Sequence, residues 1–177
     1  MNLNYNLLNT RLGSLFSGKE KGDGNSSGFF RWCNFIFVPM LVLFASFSFA
    51  QTVTIGSGTN TGYLIPVNSN YGFTYSQQII LQSEISTAGT IEKLRFYMVG
   101  GISLASSNQW TIYMGHTTKT SFSSNTNWEP LASLTQVFSG TIAATPTSGW
   151  YEITLSTPFA YNNTDNLVVA IDENASG

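Results

Sequence analysis

The stretch "QWTIYMGH", Gln109 to His116, alternates bulky apolar and polar residues with a period of two. Successive side chains of a strand point to opposite faces, so Trp110, Ile112 and Met114 share one face and Thr111 and Tyr113 the other. Counting on by twos places His116, the single histidine of the chain, on the core side at the strand's end. The same reading extends in both directions. "TIEKLRFYMV" (Thr90 to Val99) gathers Leu94, Phe96 and Met98 on one face, with Lys93, Arg95 and Tyr97 on the other. "TVTI" (Thr52 to Ile55), "YSQQIILQ" (Tyr75 to Gln82), "LTQVFSGTI" (Leu134 to Ile142) and "GWYEITL" (Gly149 to Leu155) supply four more strands. "NLVVAID" (Asn166 to Asp172) is apolar on both faces, as befits a central strand buried on both sides. These runs are separated by Gly, Asn, Ser and Pro clusters, and no helical period appears after residue 51. They predict an all-β fold, an antiparallel β-sandwich with jelly-roll or Ig-like connectivity.

Ahead of the strands lies a different kind of sequence. "FIFVPMLVLFASFSFA" (Phe35 to Ala50) is an apolar run ending in small residues, with Arg31 just upstream. This is the pattern of a secretory signal peptide, with Ser48 and Ala50 at the −3 and −1 positions and cleavage between Ala50 and Gln51. Residues 1–50 are therefore expected to be leader and signal, and residues 51–177 the β-sandwich module. Cys33, the one cysteine, precedes the cleavage point, so the mature part has no disulfide, thiol chemistry or cysteine metal site. Roughly 130 residues still bury enough surface to hold a core without such staples. From Gln51 onward three bases stand against seven acids, about −4 in net charge. No basic cluster is available for phosphates, which argues against a nucleic-acid partner. With the signal removed, no membrane association is expected, and the protein is placed in the secreted or outer-surface compartment.

Candidate sites are few. His116 lacks a neighbouring carboxylate in sequence, and neither a G-x-S-x-G elbow nor an H-E-x-x-H helix is present. It reads as a structural residue whose ring covers the core's edge, and no catalytic residue is assigned. Asp165, Asp172 and Glu173 flank the last strand among several asparagines, an oxygen-rich set of the kind that holds Ca²⁺; ordinary turn chemistry accounts for it equally. No other cofactor is expected. Tyr71, Trp128 and Trp150 lie in or near loops, where aromatic platforms beside Asn and Gln hold sugars in many sandwich proteins.

Taken together, "TVTIGSGTNT", "YSQQIILQSEI", "IEKLRFY", "WTIYMGHTTKTSF", "LTQVFSGTI" and "GWYEITLSTPFAYNNTDNLVVAIDEN" resemble the N-terminal β-sandwich module of large secreted or surface proteins of Bacteroidota. The resemblance covers about Thr52 to Asn174. It implies export by type IX secretion and downstream fibronectin type III or other Ig-like repeats. It carries no catalytic residue. The turn "ENASG" after a buried strand agrees with a module cut off at its C-terminal side, because an open apolar edge is an aggregation hazard. The expected role is adhesion, display or interaction with surface proteins or glycans, in concert with downstream domains of the same chain. The alternative is a carbohydrate-binding module attached to a downstream secreted hydrolase.

Overall fold

The computed structural model describes residues 5–9, 51–56 and 65–176. The apolar run Phe35 to Ala50, and with it the Ala50 side of the expected cleavage site, lies outside the described residues. The fold is all-β. Eight strands occur in the order β1 (Tyr5–Asn9), β2 (Gln51–Ile55), β3 (Tyr75–Ile80), β4 (Gly89–Met98), β5 (Gln109–Thr117), β6 (Thr135–Thr141), β7 (Gly149–Tyr161) and β8 (Asn166–Glu173). They form two four-stranded sheets, A in the order β2-β1-β4-β7 and B in the order β3-β8-β5-β6, with antiparallel pairing throughout. No helix among the described residues is long and apolar enough to cross a membrane.

All seven strand runs from residue 51 onward are present, with two differences in extent. β3 stops at Ile80, and Gln82–Ile85 forms a single helical turn, α1. Local polar bonding accounts for the break: the Leu81 N–H donates to the Glu84 carboxylate at 2.8 Å and the Gln82 N–H to Asn166 Oδ1 at 2.7 Å. Ser86 then ends the turn in the left-handed region, at φ 56°. β7 instead outruns its apolar pattern, continuing through "STPFAY" to Tyr161. Its pairing with β4 slips where Ile91 faces Phe159 but Lys93 faces Thr154. Pro158 sits in that slipped segment, where its missing N–H costs the ladder nothing. The strand β1 falls within residues 1–50 and pairs with β2 along all five residues, from Tyr5 opposite Ile55 to Asn9 opposite Gln51.

Alternation decides the core. Leu94, Phe96 and Met98 of β4 and Trp110, Ile112 and Met114 of β5 are all buried, and the Phe96 and Trp110 rings meet edge-on at 5.6 Å. This contact joins the inward faces of the two sheets. The Trp110 indole N–H would be stranded there without a partner, and it donates to the Ser107 carbonyl at 2.7 Å. Each such apolar side chain stabilises the fold by about 1.5–3 kcal/mol relative to exposure.

β8 is the central element of sheet B, hydrogen-bonded to β3 on one side and β5 on the other. Leu167, Val169 and Ile171 join the common core, whereas Val168 and Ala170 point to the opposite face and are equally inaccessible. A loop covers that second face. Residues 118–134 fold back over the sheet so tightly that a Cβ added to Gly115, which pairs with Val168, would lie 2.6 Å from Leu134 Cδ2. A glycine at this position lets Leu134 approach the backbone.

Candidate functional site: a polar hollow on the outer face of sheet B

Several side chains pin the covering loop. Gln77 on β3 accepts the Glu129 N–H at 2.8 Å and donates Nε2 to the Glu129 carbonyl at 2.8 Å, much as a neighbouring strand would. Its other amide hydrogen reaches the Tyr75 hydroxyl at 2.8 Å. From below, Lys119 donates to the carbonyls of Asn127 and Trp128 and pairs with the Glu129 carboxylate at 3.3 Å. Glu129 also accepts the hydroxyl of buried Thr117. The result fixes the Trp128 ring beside Tyr75, with centroids 4.9 Å apart, while leaving 43% of the tryptophan exposed.

Beyond the loop, the register lines up polar residues across all four strands. Tyr75 of β3 stands opposite Asp172 of β8, Asp172 opposite Thr111 of β5, and Thr111 opposite Ser139 of β6. Directly paired residues share a face, so Tyr75, Asp172, Thr111 and Ser139 form one row on the outside of the sheet. The row is about 14 Å long, three inter-strand spacings. Tyr113 and Gln136 form a second rank beside it, and Asn174 closes one end. Asp172, Thr111, Ser139, Tyr113, Gln136 and Asn174 are among the residues that line a hollow of about 400 Å³, and Tyr75 stands outside its lining. The Thr111 and Ser139 hydroxyls lie 3.4 Å apart, and Asn174 donates to the Asp172 carbonyl at 3.1 Å. Burial, then the Asp172 carboxylate and the Tyr75 phenol, push the Tyr113 phenol above its ordinary pKa. Tyr113 is therefore a neutral hydrogen-bonding hydroxyl at physiological pH.

None of the three aromatics singled out from sequence lines this hollow; Trp128 packs against Tyr75, which is paired with the hollow's Asp172. Trp150 lies on the outer face of sheet A, edge-on to Tyr97 at 5.5 Å. Next to it Glu152 bridges Lys93 and Arg95. Tyr71 is exposed in the loop before β3, its carbonyl accepting the Ser107 hydroxyl at 3.1 Å. The three do not form one platform, because they belong to two sheet faces and a loop. Thr111, Tyr113 and Ser139 do converge, although the sequence alone does not mark them as a site. The outward positions of "QWTIYMGH" were the available signal, but they name neighbours only once the strand order is known.

The acidic set is likewise separated. Asp165 lies in the β7–β8 turn, where its carboxylate accepts the Asn162 amide at 2.8 Å and its N–H donates to Asn162 Oδ1 at 3.1 Å. Seven residues of extended strand, about 23 Å, divide it from Asp172. Asp172 and Glu173, as neighbours in β8, face opposite sides. Glu173 is fully buried, accepting the N–H groups of Phe73 at 3.1 Å and Ala175 at 2.6 Å. It clamps the segment that contains Phe73, whose φ of 57° is left-handed. One calcium ion cannot draw on all three residues. Among the described residues no group of three His, Cys, Asp or Glu is placed to hold a metal.

His116 stands where its strand position puts it, at the edge of the core. Its ring stacks on Tyr161 at 5.8 Å and tilts against Phe159 at 5.0 Å, and its Nε2 accepts the Asn162 N–H at 3.2 Å. The partner is a backbone donor, and the residue remains exposed. The molecule is thus an all-β protein of two antiparallel sheets with a polar hollow on one outer face. No protein-family model, curated protein or solved structure matches the chain.

Proposed function

We propose that this chain is a non-catalytic adhesion or interaction module of a secreted or cell-surface protein. It is a β-sandwich that binds glycans in the hollow on sheet B. The carrying observation is the row Tyr75–Asp172–Thr111–Ser139, with the half-exposed Trp128 ring packed against Tyr75 at its β3 end. Sugar rings offer an apolar face for stacking and a rim of hydroxyls for hydrogen bonds, and this surface supplies both kinds of partner. The apolar leader run and the resemblance to exported Bacteroidota modules support export; cleavage between Ala50 and Gln51 would remove β1 from sheet A and leave sheet B, which holds the hollow, with all four of its strands. Affinity electrophoresis of the secreted chain in gels containing soluble polysaccharides tests the reading. Retardation by at least one polymer that is lost in both Trp128→Ala and Tyr113→Ala is the expected result. Mobility unaffected by every polymer would refute glycan binding.

A further inference from the structure

We infer that the hollow selects glycans without negative charge, and that Asp172 is the residue that sets this selectivity. The inference rests on the glycan-binding reading above. Asp172 is the one formally charged group lining the hollow at neutral pH. The other polar side chains lining it are hydroxyls and amides, among them Thr111, Ser139, Tyr113, Gln136 and Asn174. The charges around it do not offset the carboxylate. Residues from Gln51 onward contain three bases, Lys93, Arg95 and Lys119. The first two pair with Glu152 on the outer face of sheet A, and the third pairs with Glu129 beneath the covering loop.

Among the described residues, an anionic sugar entering the hollow would therefore meet a carboxylate and no free cation. A neutral sugar instead offers hydroxyl donors to it. A charged acceptor makes stronger bonds to such donors than a neutral one, and two carboxylate oxygens can take two adjacent hydroxyls together. The neutral Tyr113 hydroxyl beside it can donate to a ring or glycosidic oxygen. The surface thus provides acceptor and donor in adjacent positions, and a longer glycan reaching past Asp172 along the row would meet Tyr75 and Trp128 for stacking.

The test compares the full chain with D172N, W128A and Y113A in gels carrying mannan, xyloglucan or polygalacturonate at low ionic strength. The parent chain is expected to be retarded by a neutral polymer and not by polygalacturonate. D172N keeps the size and face of the side chain while removing its charge. It should weaken binding to the neutral polymer about tenfold, since charge-assisted bonds become neutral ones, and should narrow the gap to polygalacturonate. D172E, which restores the charge, should keep the exclusion of polygalacturonate. Equal retardation of the parent by polygalacturonate would overturn the inference. So would neutral-polymer binding that is lost in W128A and Y113A but unchanged in D172N, a result that leaves glycan binding itself standing. Absence of binding to all three polymers, with unaltered mobility of all variants, would remove the glycan reading and the selectivity with it.

Discussion

Replacing Gln77 by Ala removes one of the pins that hold the covering loop on sheet B. The side chain makes two hydrogen bonds to the backbone of Glu129 and one to Tyr75, all at 2.8 Å. A typical intramolecular hydrogen bond contributes about 0.5–1.5 kcal/mol net. The two bonds to Glu129 therefore set an expected loss of about 1–3 kcal/mol. The Tyr75 bond adds little, because that hydroxyl can turn to water. The loss should be visible as a lower urea midpoint with an unchanged slope, since the surface exposed on unfolding barely changes. A second readout separates the pin from general destabilisation. Trp128 owes its position beside Tyr75 to this loop, so quenching of its fluorescence by acrylamide should rise in Gln77→Ala under fully native conditions. Trp32, Trp110 and Trp150 are replaced by Phe in the background used, so that one indole reports. Gln77→Glu should behave at least as badly, because a carboxylate cannot donate to the Glu129 carbonyl. A stability change below about 0.5 kcal/mol together with unchanged quenching would refute the assignment of Gln77 as a pin, since bonds of this number and length predict more.

Three further outcomes follow from the packing and the charges. Val168→Ala and Val169→Ala should each cost about 2 kcal/mol in chemical denaturation, although the residues face opposite sides of β8, because both sides are covered; a negligible loss at Val168 would show that the loop does not bury it. Hydrogen bonds first from Lys93 and then from Arg95 hold the Glu152 carboxyl below its ordinary pKa. A carboxyl depressed in the folded state stabilises above its unfolded pKa and loses that contribution as pH falls through the folded one. Glu152→Gln should therefore lower stability by about 0.3–1 kcal/mol at pH 7 and match the parent at strongly acidic pH, a small effect because the network faces solvent. Finally, D172N should lower the alkaline midpoint of Tyr113 in an ultraviolet phenol titration without returning it to the ordinary value, because burial, the larger cause, persists. The stability tied to that raised phenol pKa is present below the unfolded tyrosine pKa and is lost as pH rises through the folded one.

Much of the fold is legible in the sequence because period-two alternation is a local property. Leu94, Phe96 and Met98, and Trp110, Ile112 and Met114, declare their faces without knowledge of any neighbour, and all six are buried. The double-sided apolarity of "NLVVAID" likewise announces a central strand. What local pattern cannot supply is adjacency. Asp172 belongs with Tyr75 and Thr111 because β8 lies between β3 and β5, and no spacing in the chain encodes that order. The same holds for Trp128 against Tyr75, which depends on a glutamine imitating a strand. The break after Ile80 depends on Asn166, 84 residues from the Gln82 N–H that it accepts, so a sequence window does not see it. Glu173 shows the converse error. Its neighbours suggest an exposed ligand, while the strand's alternation turns it inward onto two backbone donors.

The position of β8 has a consequence for the order of assembly. It is the last described strand in the chain and the middle of sheet B, and it must be in place before β3 acquires its partner. Tyr75 pairs with Asp172, a separation of 97 residues, and β5 pairs with the same strand from the other side. Until residues 166–173 have been made, β3 and β5 have no strand between them and sheet B cannot close. Contacts of such long range make folding slow compared with that of local topologies. During synthesis sheet B would stay open on this account, while β5 and β6 can already pair with each other. Sheet B would close only once β8 arrives.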